Sequence, residues 1–279
     1  MLCRVLAVST AAYYQFVRRP VSAAQAKQDQ ITEAMKTIRL EKYHDAYGSL
    51  RMHRAVIQRG IACCRNTVAK CMRKAGISAN RRTKFRISTT DSNHDHPIAA
   101  NLLNQDFSTI ALNEVWLTDI TYIPTKEGFT YLAVIVDLHS RKIIGWRTSR
   151  NIDSKLVIAA LDQAITLRNP LPGLIVHSDR GSQYASDAFR QQLSKHELVQ
   201  SMSRRGNCYD NAPMESFFKS YKTEEVQDKT YETHEEATRG VSQYIECFYN
   251  PIRLHSSLDY RSPIDFEQAI TMQTIVSES

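Results

Sequence analysis

The sequence predicts an α/β fold, in which a mixed five-stranded sheet with flanking helices follows a small all-helical region. Two observations support this prediction. Segments typical of strands and of helices alternate after residue 107, and short helical segments rich in basic residues dominate before residue 88. The 279 residues, 42% of them hydrophobic, are enough for two cores of ordinary size. The longest unbroken apolar stretch is Tyr131–Val136, far short of the about 20 residues that a membrane-spanning helix needs.

Positive charge is concentrated at the start of the chain. The first 90 residues hold 18 Lys and Arg but only four acids, whereas the remaining residues hold 18 Lys and Arg and 25 acids. A region with that excess attracts a polyanion, because each phosphate that it neutralises releases a counterion. A solubilising surface is the alternative, but such surfaces usually mix both signs. We therefore expect residues 1–87 to bind nucleic acid.

Two short helices around a glycine-containing turn predict a helix-turn-helix over about residues 45–77. The first helix spans Ser49–Arg59, with Leu50, His53 or Arg54, and Ile57 at helical spacing, and Gly60 ends it. The second spans Asn66–Ala75, with Val68, Cys71, Met72 and Ala75 facing inward and Gly76 after it. A recognition helix of this kind enters the major groove. Its outward face would present the expected DNA contacts Arg65, Asn66, Thr67, Lys70, Arg73 and Lys74. A helical segment near Leu6–Arg19 would belong to the same region.

Residues 88–107 are predicted to be a linker, because their first ten residues are polar, lack apolar periodicity and end in Pro97. A catalytic core over 108–272 and a tail over 273–279 would follow. The six cysteines include no C-x-x-C pair, which is typical of reduced thiols in a cytosolic protein.

The core begins with three predicted strands, over 114–123, 129–136 and 142–148, whose short connections suit antiparallel hairpins. A helix over 153–168, capped by Asp153, and a strand over 173–178 come next. A helix over 186–195, a strand over 198–202 and a helix over 213–226 complete the order. Three strands, helix, strand, helix, strand, helix is the order of the ribonuclease-H-like fold. Trp116 and Trp146 lie in strands and are expected in the core.

Three acidic residues are candidates for a shared site. Asp119 lies in the middle of the first strand, where an ionised carboxylate is costly unless it is paired or holds a metal. Asp179 directly follows the fourth strand, which in this order of elements pairs beside the first, so the two aspartates are expected to be neighbours. Glu215 lies on the last helix beside an apolar stripe, with Lys219 and Lys222 further along the same flank.

Three such carboxylates could hold two divalent ions about 4 Å apart, and oxygen ligands favour Mg2+ or Mn2+. Such a pair activates an attacking oxygen and stabilises a leaving oxygen during displacement at phosphorus. The alternative is a chance alignment among many acids, with Glu215 favoured only by the dipole at the start of its helix. Spacing by itself leaves both interpretations open.

Four other polar residues invite a functional interpretation, but a structural one is favoured for each. Asp137 follows a strand at a short hairpin and is interpreted as a turn former. Asp210 lies in the 206–211 loop and is interpreted as part of a flexible loop or as a helix cap. His177 and His255 are interpreted as structural, with a role for His177 beside Asp179 left open.

Several stretches carry a resemblance to a known family: WLTDITYI around Asp119, HSDRGSQY around Asp179 and NCYDNAPMESFFKSYKTE around Glu215. They resemble the three blocks of bacterial insertion-sequence transposases related to retroviral integrases. The 35 residues between Asp179 and Glu215 match the spacing of that DD(35)E group. VIVDLHSRKIIGW and YIECFYNPIRLHSSLDYRSPIDF also resemble its integrase core, and YGSLRMHRAVIQRGIACCRNTVAKCMRKAGI its helix-turn-helix. The chain is identified as a member of the IS3 family, similar to the second reading-frame product (OrfB).

The resemblance implies a DNA transposase with Asp119, Asp179 and Glu215 as its catalytic and metal-binding triad and with two Mg2+ or Mn2+ ions. Lys219 and Lys222 match basic positions that contact DNA in relatives. The resemblance also leaves a DNA-contacting role open for His255. The implied reaction cleaves the element's end and transfers the freed 3′ hydroxyl to target DNA, without a covalent protein–DNA intermediate. The zinc-binding His/Cys module of retroviral integrases has no counterpart in this sequence, so no zinc is expected.

The implied partners are the element's terminal repeats, target DNA and further copies of the chain assembled on DNA. Residues 1–9 resemble the opening of the family's second reading frame, and the chain shows no sustained heptad pattern. We therefore expect a fusion with the upstream reading-frame product to be needed for full activity, in the bacterial cytoplasm at the nucleoid. Two alternatives are a DNA-binding regulator or inactive remnant of a transposase, and a ribonuclease-H-type nuclease.

Overall fold

The computed structural model describes residues 3, 8–79, 96–227 and 229–278, and the chain divides into two compact units, Met1–Asn80 and Arg81–Ser279. The end of the predicted helical region and the first part of the predicted linker, residues 80–95, lie outside the described residues. The predicted boundaries at 87, 107 and 272 stay predictions. In the part of the chain that the structure describes, no helix is long and apolar enough to cross a membrane.

The first unit is all-helical and contains one long helix that the sequence analysis missed. Its helices are α1 (Thr10–Val17), α2 (Ala23–Leu40), α3 (Ser49–Gln58) and α4 (Arg65–Lys74). Ser22 caps helix α2, its hydroxyl accepting from the Gln25 amide, and the buried stripe of the helix repeats at i, i+4 and i+7. The stripe packs on α3 and α4, and the shared core consists of Ile31, Met35, Ile38, Met52, Val56, Val68, Cys71 and Met72.

The two helices of the helix-turn-helix lie where predicted, but some of the residues predicted to face inward are exposed. In α3, Leu50 and Ile57 are 44% and 39% exposed, while Met52 and Val56 are buried. The buried stripe is rotated because α3 packs against the unpredicted α2 as well as against α4. In α4, Val68, Cys71 and Met72 are buried as predicted, whereas Ala75 lies past the last helical turn and is exposed.

The second unit is built on one mixed five-stranded sheet, as predicted. Its strands are β1 (Val115–Thr125), β2 (Gly128–Asp137), β3 (Ile143–Ser149), β4 (Ile175–Ser178) and β5 (Val199–Met202). They lie in the order β3-β2-β1-β4-β5. The first three strands are antiparallel, and β4 pairs in parallel with both β1 and β5.

Helices cover the sheet and enclose its core. They are α5 (Ser154–Arg168), α6 (Ser182–Ala185), α7 (Asp187–Lys195), α8 (Ala212–Tyr221), α9 (His234–Tyr244) and α10 (Pro263–Glu278). Asp153 caps α5 as predicted, its carboxylate accepting from the Leu156 amide at 3.1 Å. Helices α8 and α9 each continue into a π-helical turn, Lys222–Val226 and Ile245–Tyr249.

The two tryptophans have different environments. Trp116, on the central strand β1, is fully buried, as predicted. Trp146 is only half-buried, so its assignment to the core was wrong. It lies on β3, which is an edge strand, and its indole Nε1–H reaches out to Glu246 Oε1 at 2.8 Å.

Candidate active site

The register between β1 and β4 places Asp119 beside Asp179. The last pair of residues in this register is Leu117 and His177. Asp119 follows Leu117 by two residues, and Asp179 follows His177 by two residues. Because the two strands are parallel, Asp119, in the middle of β1, lies beside Asp179, which follows the end of β4. The proximity expected from the order of elements is therefore present in the fold.

Backbone amides hold both aspartate side chains. Asp119 Oδ1 accepts from the Ile120 amide at 2.8 Å, and Asp179 Oδ1 accepts from the Gly181 amide at 2.9 Å. A Cβ on Gly181 would lie 3.1 Å from Asp179 Oδ1 and 2.9 Å from Gln183 Oε1, so a glycine permits this close turn. These bonds orient the two carboxylates before any ligand arrives.

Glu215 reaches the same region from helix α8, which packs on β1. Met214, Phe217, Phe218 and Tyr221 form the buried stripe of the helix, as predicted. Glu215 lies beside this stripe in the first turn, and its side chain is exposed. The helix thus fixes the Glu215 backbone while the carboxylate can still change rotamer in solvent.

The electrostatics of Asp119 report the proximity of the other two acids. Its pKa is raised well above the ordinary value, first by burial and then by the charges of Asp179 and Glu215. The Ile120 amide and Lys222 act in the opposite direction. Within the described ranges, however, no three His, Cys, Asp or Glu side chains are already grouped closely enough to hold a metal.

The two predicted lysines occupy different environments. Lys222 Nζ lies 4.3 Å from the ring centroid of Tyr122, a residue of β1, and its charge acts on Asp119. Lys219 is exposed on α8, one turn after Glu215. Lys222 is therefore held against the strand that carries Asp119, whereas Lys219 faces solvent.

Sequence reasoning missed two tyrosines at the site, Tyr122 and Tyr184. The buried Tyr184 hydroxyl lies 3.1 Å from Thr118 Oγ1, next to Asp119. Burial raises the pKa of Tyr184, and the charges of Asp119 and Asp179 raise it further. Tyr122 follows Asp119 by three residues, and Tyr184 follows Asp179 by five residues. This closeness in the sequence was the signal that could have identified them.

Of the four other polar residues for which a structural role was predicted, three have such a role. Asp137 is buried, and its Oδ1 accepts from the His139 and Ser140 amides, as a turn former does. His177 is buried between Ser201 Oγ and Ser203 Oγ, at 2.8 and 3.1 Å, and burial lowers its pKa to about 4. His255 Nε2 accepts from Arg253 Nη1 at 3.1 Å.

The interpretation of Asp210 as part of a flexible loop was wrong. Its carboxylate is fully buried and accepts hydrogen bonds from Arg204, Asn101 and Gln105. The partners at 101 and 105 are about a hundred residues away in the sequence, which explains why spacing could not reveal them.

In the first unit, most predicted DNA contacts lie on the exposed side of α4. Arg65, Asn66, Lys70 and Arg73 are exposed, and Thr67 is half-buried with its hydroxyl 3.2 Å from Cys64 Sγ. Lys74 is exposed but donates to Gln28 Oε1 of α2 at 2.9 Å. Arg65, Asn66, Lys70 and Arg73 form the exposed face that could meet a DNA groove.

Comparison with known families agrees with both units. The integrase core domain family matches residues 111–208 and, through a second family of the same description, residues 215–270. The HTH-like domain family matches residues 26–85. The transposase of insertion sequence element IS904 from Lactococcus lactis is 42% identical over 251 residues, which cover 90% of this chain and 98% of that protein. The chain belongs to the IS3 family of insertion-sequence transposases.

Further relatives of this transposase show the same relationship. Transposase InsF of IS3A from Escherichia coli is 37% identical over 95% of this chain and 92% of its own length. Among solved structures, the HTLV-2 integrase catalytic core domain in complex with magnesium is similar, with 17% identity and a TM-score of 0.43. The match covers 57% of the transposase and 99% of that domain. As a family member with an integrase core, the transposase is a DDE-type polynucleotidyl transferase.

Proposed function

We propose that Asp119, Asp179 and Glu215 are the catalytic triad with which this transposase cleaves element ends and joins them to target DNA. The observation that carries the proposal is the parallel β1–β4 register, which makes Asp119 and Asp179 neighbours where β4 ends. The charge of Glu215 raises the pKa of Asp119, as the charge of Asp179 does, and this effect supports the inclusion of Glu215. Both proposed steps are in-line displacements at phosphorus, so one site can perform both.

The carboxylates fit a pair of divalent cations. Each aspartate has one oxygen fixed by a backbone amide, and the adjacent negative charges repel one another unless a cation neutralises them. The three acids offer only oxygen ligands, which suit Mg2+ or Mn2+. When bound, such ions activate the attacking oxygen and stabilise the leaving oxygen. The exposed Glu215 side chain would complete the set by a change of rotamer.

The remaining residues of the site would bind and orient the substrate. Lys222, held over Tyr122, and the exposed Lys219 would contact phosphates of the element's end. The exposed face of α4, with Arg65, Asn66, Lys70 and Arg73, would read the terminal repeat in a major groove, with Thr67 and Lys74 beside it. Nothing in this scheme requires a Ser or Tyr nucleophile or a zinc ion.

The proposed partners are the terminal repeats and the target DNA, with several copies of the chain on one DNA complex. Two ends must be held together before they are joined, and assembly raises their effective concentration. A fusion with the upstream reading-frame product would strengthen this assembly, as the family resemblance implies. The proposed location is the bacterial cytoplasm, in association with the nucleoid.

The test uses purified chain and labelled DNA that carries the element's ends, with Mg2+ or with chelator. Asp119→Asn, Asp179→Asn and Glu215→Gln each remove a ligand charge but keep the side-chain shape. We expect each to lower cleavage and joining at least about a thousandfold while DNA binding changes little. Asp187→Asn, on the exposed surface of α7, is the matched control and should behave as the wild type.

Other outcomes would favour the alternatives. Cleavage that ignores the terminal repeat would indicate a ribonuclease-H-type nuclease. Binding without any metal-dependent cleavage by the wild type would indicate a regulator or inactive remnant. Wild-type cleavage by any one of the three variants would remove that residue from the triad.

A further inference from the structure

The loop Arg204–Asp210, between β5 and α8, is closed by a cluster of hydrogen bonds to the buried Asp210 carboxylate. Asp210 Oδ2 accepts from the Arg204 backbone amide at 2.8 Å and from Arg204 Nε at 2.9 Å, and Oδ1 accepts from Arg204 Nη2 at 2.8 Å. Asn101 Nδ2 and Gln105 Nε2 add one bond to each oxygen, at 3.0 and 2.9 Å. Five donors thus converge on one carboxylate, which we call the Asp210 clasp.

The clasp is strong enough to order the loop. Charge-assisted, two-pronged Arg–carboxylate bonds are among the strongest side-chain hydrogen bonds, and Asp210 is fully buried. The hydrogen bonds from the Arg204 side chain hold the pKa of Asp210 well below its usual range, which favours the ionised carboxylate. The clasp also ties the loop to residues 101–105, which lie outside the sheet and helices.

The two ends of the loop adjoin the strands β4 and β1, next to the two proposed catalytic aspartates. Before the loop, Ser203 donates its backbone amide to Ser178 O at 2.9 Å and accepts at its own carbonyl from Arg180 Nε at 2.6 Å. Ser178 and Arg180 flank Asp179. After the loop, Asn211 Nδ2 donates to Thr118 O at 3.4 Å, next to Asp119. Helix α8 then begins, with Glu215 in its first turn.

We propose that Asp210 is a positioning residue, which fixes the start of α8 so that Glu215 meets the two strand-borne aspartates. The Asp210 side chain accepts hydrogen bonds from Arg204, Asn101 and Gln105, so we infer that it acts through the loop backbone and Asn211. The inference rests on the proposed function of the triad. It goes beyond that function by assigning a role to a residue outside the triad.

The experiment compares Asp210→Asn and Arg204→Lys with the matched control Asp187→Asn in the full chain. Asp187 also pairs with an arginine, but on the exposed surface of α7. Hydrogen exchange of residues 203–211, followed by mass spectrometry without metal or DNA, measures whether the loop is released. Exchange should rise at least about tenfold in both test variants and stay unchanged in the control, while β1 remains protected in all three.

The functional readouts separate positioning from general stability. Asp210→Asn should weaken Mn2+ binding, measured by calorimetry without DNA, by about ten- to a hundredfold, which is typical of residues that orient metal ligands. Cleavage at saturating DNA should fall by a similar factor, while DNA affinity stays within about twofold. Arg204→Lys keeps the charge but loses the two-pronged geometry, so it should show a smaller change in the same direction.

Two results would overturn the proposal: wild-type exchange of the loop in Asp210→Asn, or a released loop with unchanged Mn2+ affinity and cleavage. Arg204→Lys provides the same decision if Asp210→Asn does not fold, because Arg204 is half-exposed. Failure of the triad itself would be recognised separately, through undiminished cleavage by Asp119→Asn. The exchange measurement does not depend on that outcome.

Discussion

Lys222 illustrates how a single residue can be held ready for a charged substrate. Its ammonium group lies over the ring of Tyr122, a residue that is only 5% exposed, so water competes weakly for this contact. The charge of Lys222 also lowers the pKa of Asp119. A lysine fixed in this way loses less side-chain entropy when it binds a phosphate than a fully solvated lysine does.

We therefore predict that Lys222→Gln impairs catalysis more than it impairs folding. Cleavage of element ends should fall about tenfold, and the slope of log affinity against log salt should decrease by about one unit, since one phosphate contact is lost. Lys195→Gln, which removes an exposed charge at the end of α7, is the control and should change neither quantity. Equal losses of melting temperature and activity in Lys222→Gln would instead show a structural role.

Helix α10 shows how one element is fastened to the second unit. Glu267, which is 8% exposed, accepts from Lys142 Nζ at 2.8 Å and from Arg168 Nη2. Burial raises the pKa of Glu267, but its bonds to Arg168, Lys142 and Ser140 outweigh this effect and leave the pKa lowered. The ionised carboxylate thus joins α10 to the start of β3 and the end of α5.

Glu267→Gln is predicted to destabilise the protein by about 2 kcal/mol at pH 7, since charged hydrogen bonds to two cations are lost. A lowered pKa in the folded state means that this contribution is present above the pKa of the unfolded chain and disappears as the pH falls through the folded value. The variant should therefore approach wild-type stability in acid. Urea unfolding at several pH values measures this difference in stability. The control is Glu232→Gln, which removes the partner of Lys126 in an exposed ion pair. A constant difference between Glu267→Gln and the wild type down to pH 3 would contradict the prediction.

At the scale of elements, the sequence predicted those structures whose signals are local. The three hairpin strands, the cap at Asp153 and the buried stripe of α8 follow from alternation, capping and helical spacing, and all are present. Helix α2 was missed because its buried residues are few and lie among alanines and polar residues, which give a weak periodicity. The Asp210 clasp was missed because two of its five donors, on Asn101 and Gln105, come from a distant part of the chain.

At the scale of the whole molecule, the excess of positive charge and the proposed catalytic carboxylates belong to different units. Residues 1–80 hold 14 Lys and Arg but only four acids, whereas residues 81–279 hold 22 Lys and Arg and 25 acids, among them Asp119, Asp179 and Glu215. The family matches divide in the same way, between an HTH-like domain and an integrase core. Such a division lets the affinity for DNA change without altering the carboxylates, and it can be tested in the full chain.

The double variant Lys70→Gln/Arg73→Gln should weaken binding to DNA that carries the terminal repeat and reduce the salt slope by about two units. Both residues are exposed on α4, so the core of the first unit should be unaffected. Cleavage at saturating DNA should remain within about threefold of the wild type, because the second unit is unchanged. The control Lys36→Gln/Lys42→Gln removes equal charge from the end of α2 and just beyond it, and its salt slope should stay close to that of the wild type. If both double variants reduced the slope equally, total charge rather than the face of α4 would determine binding.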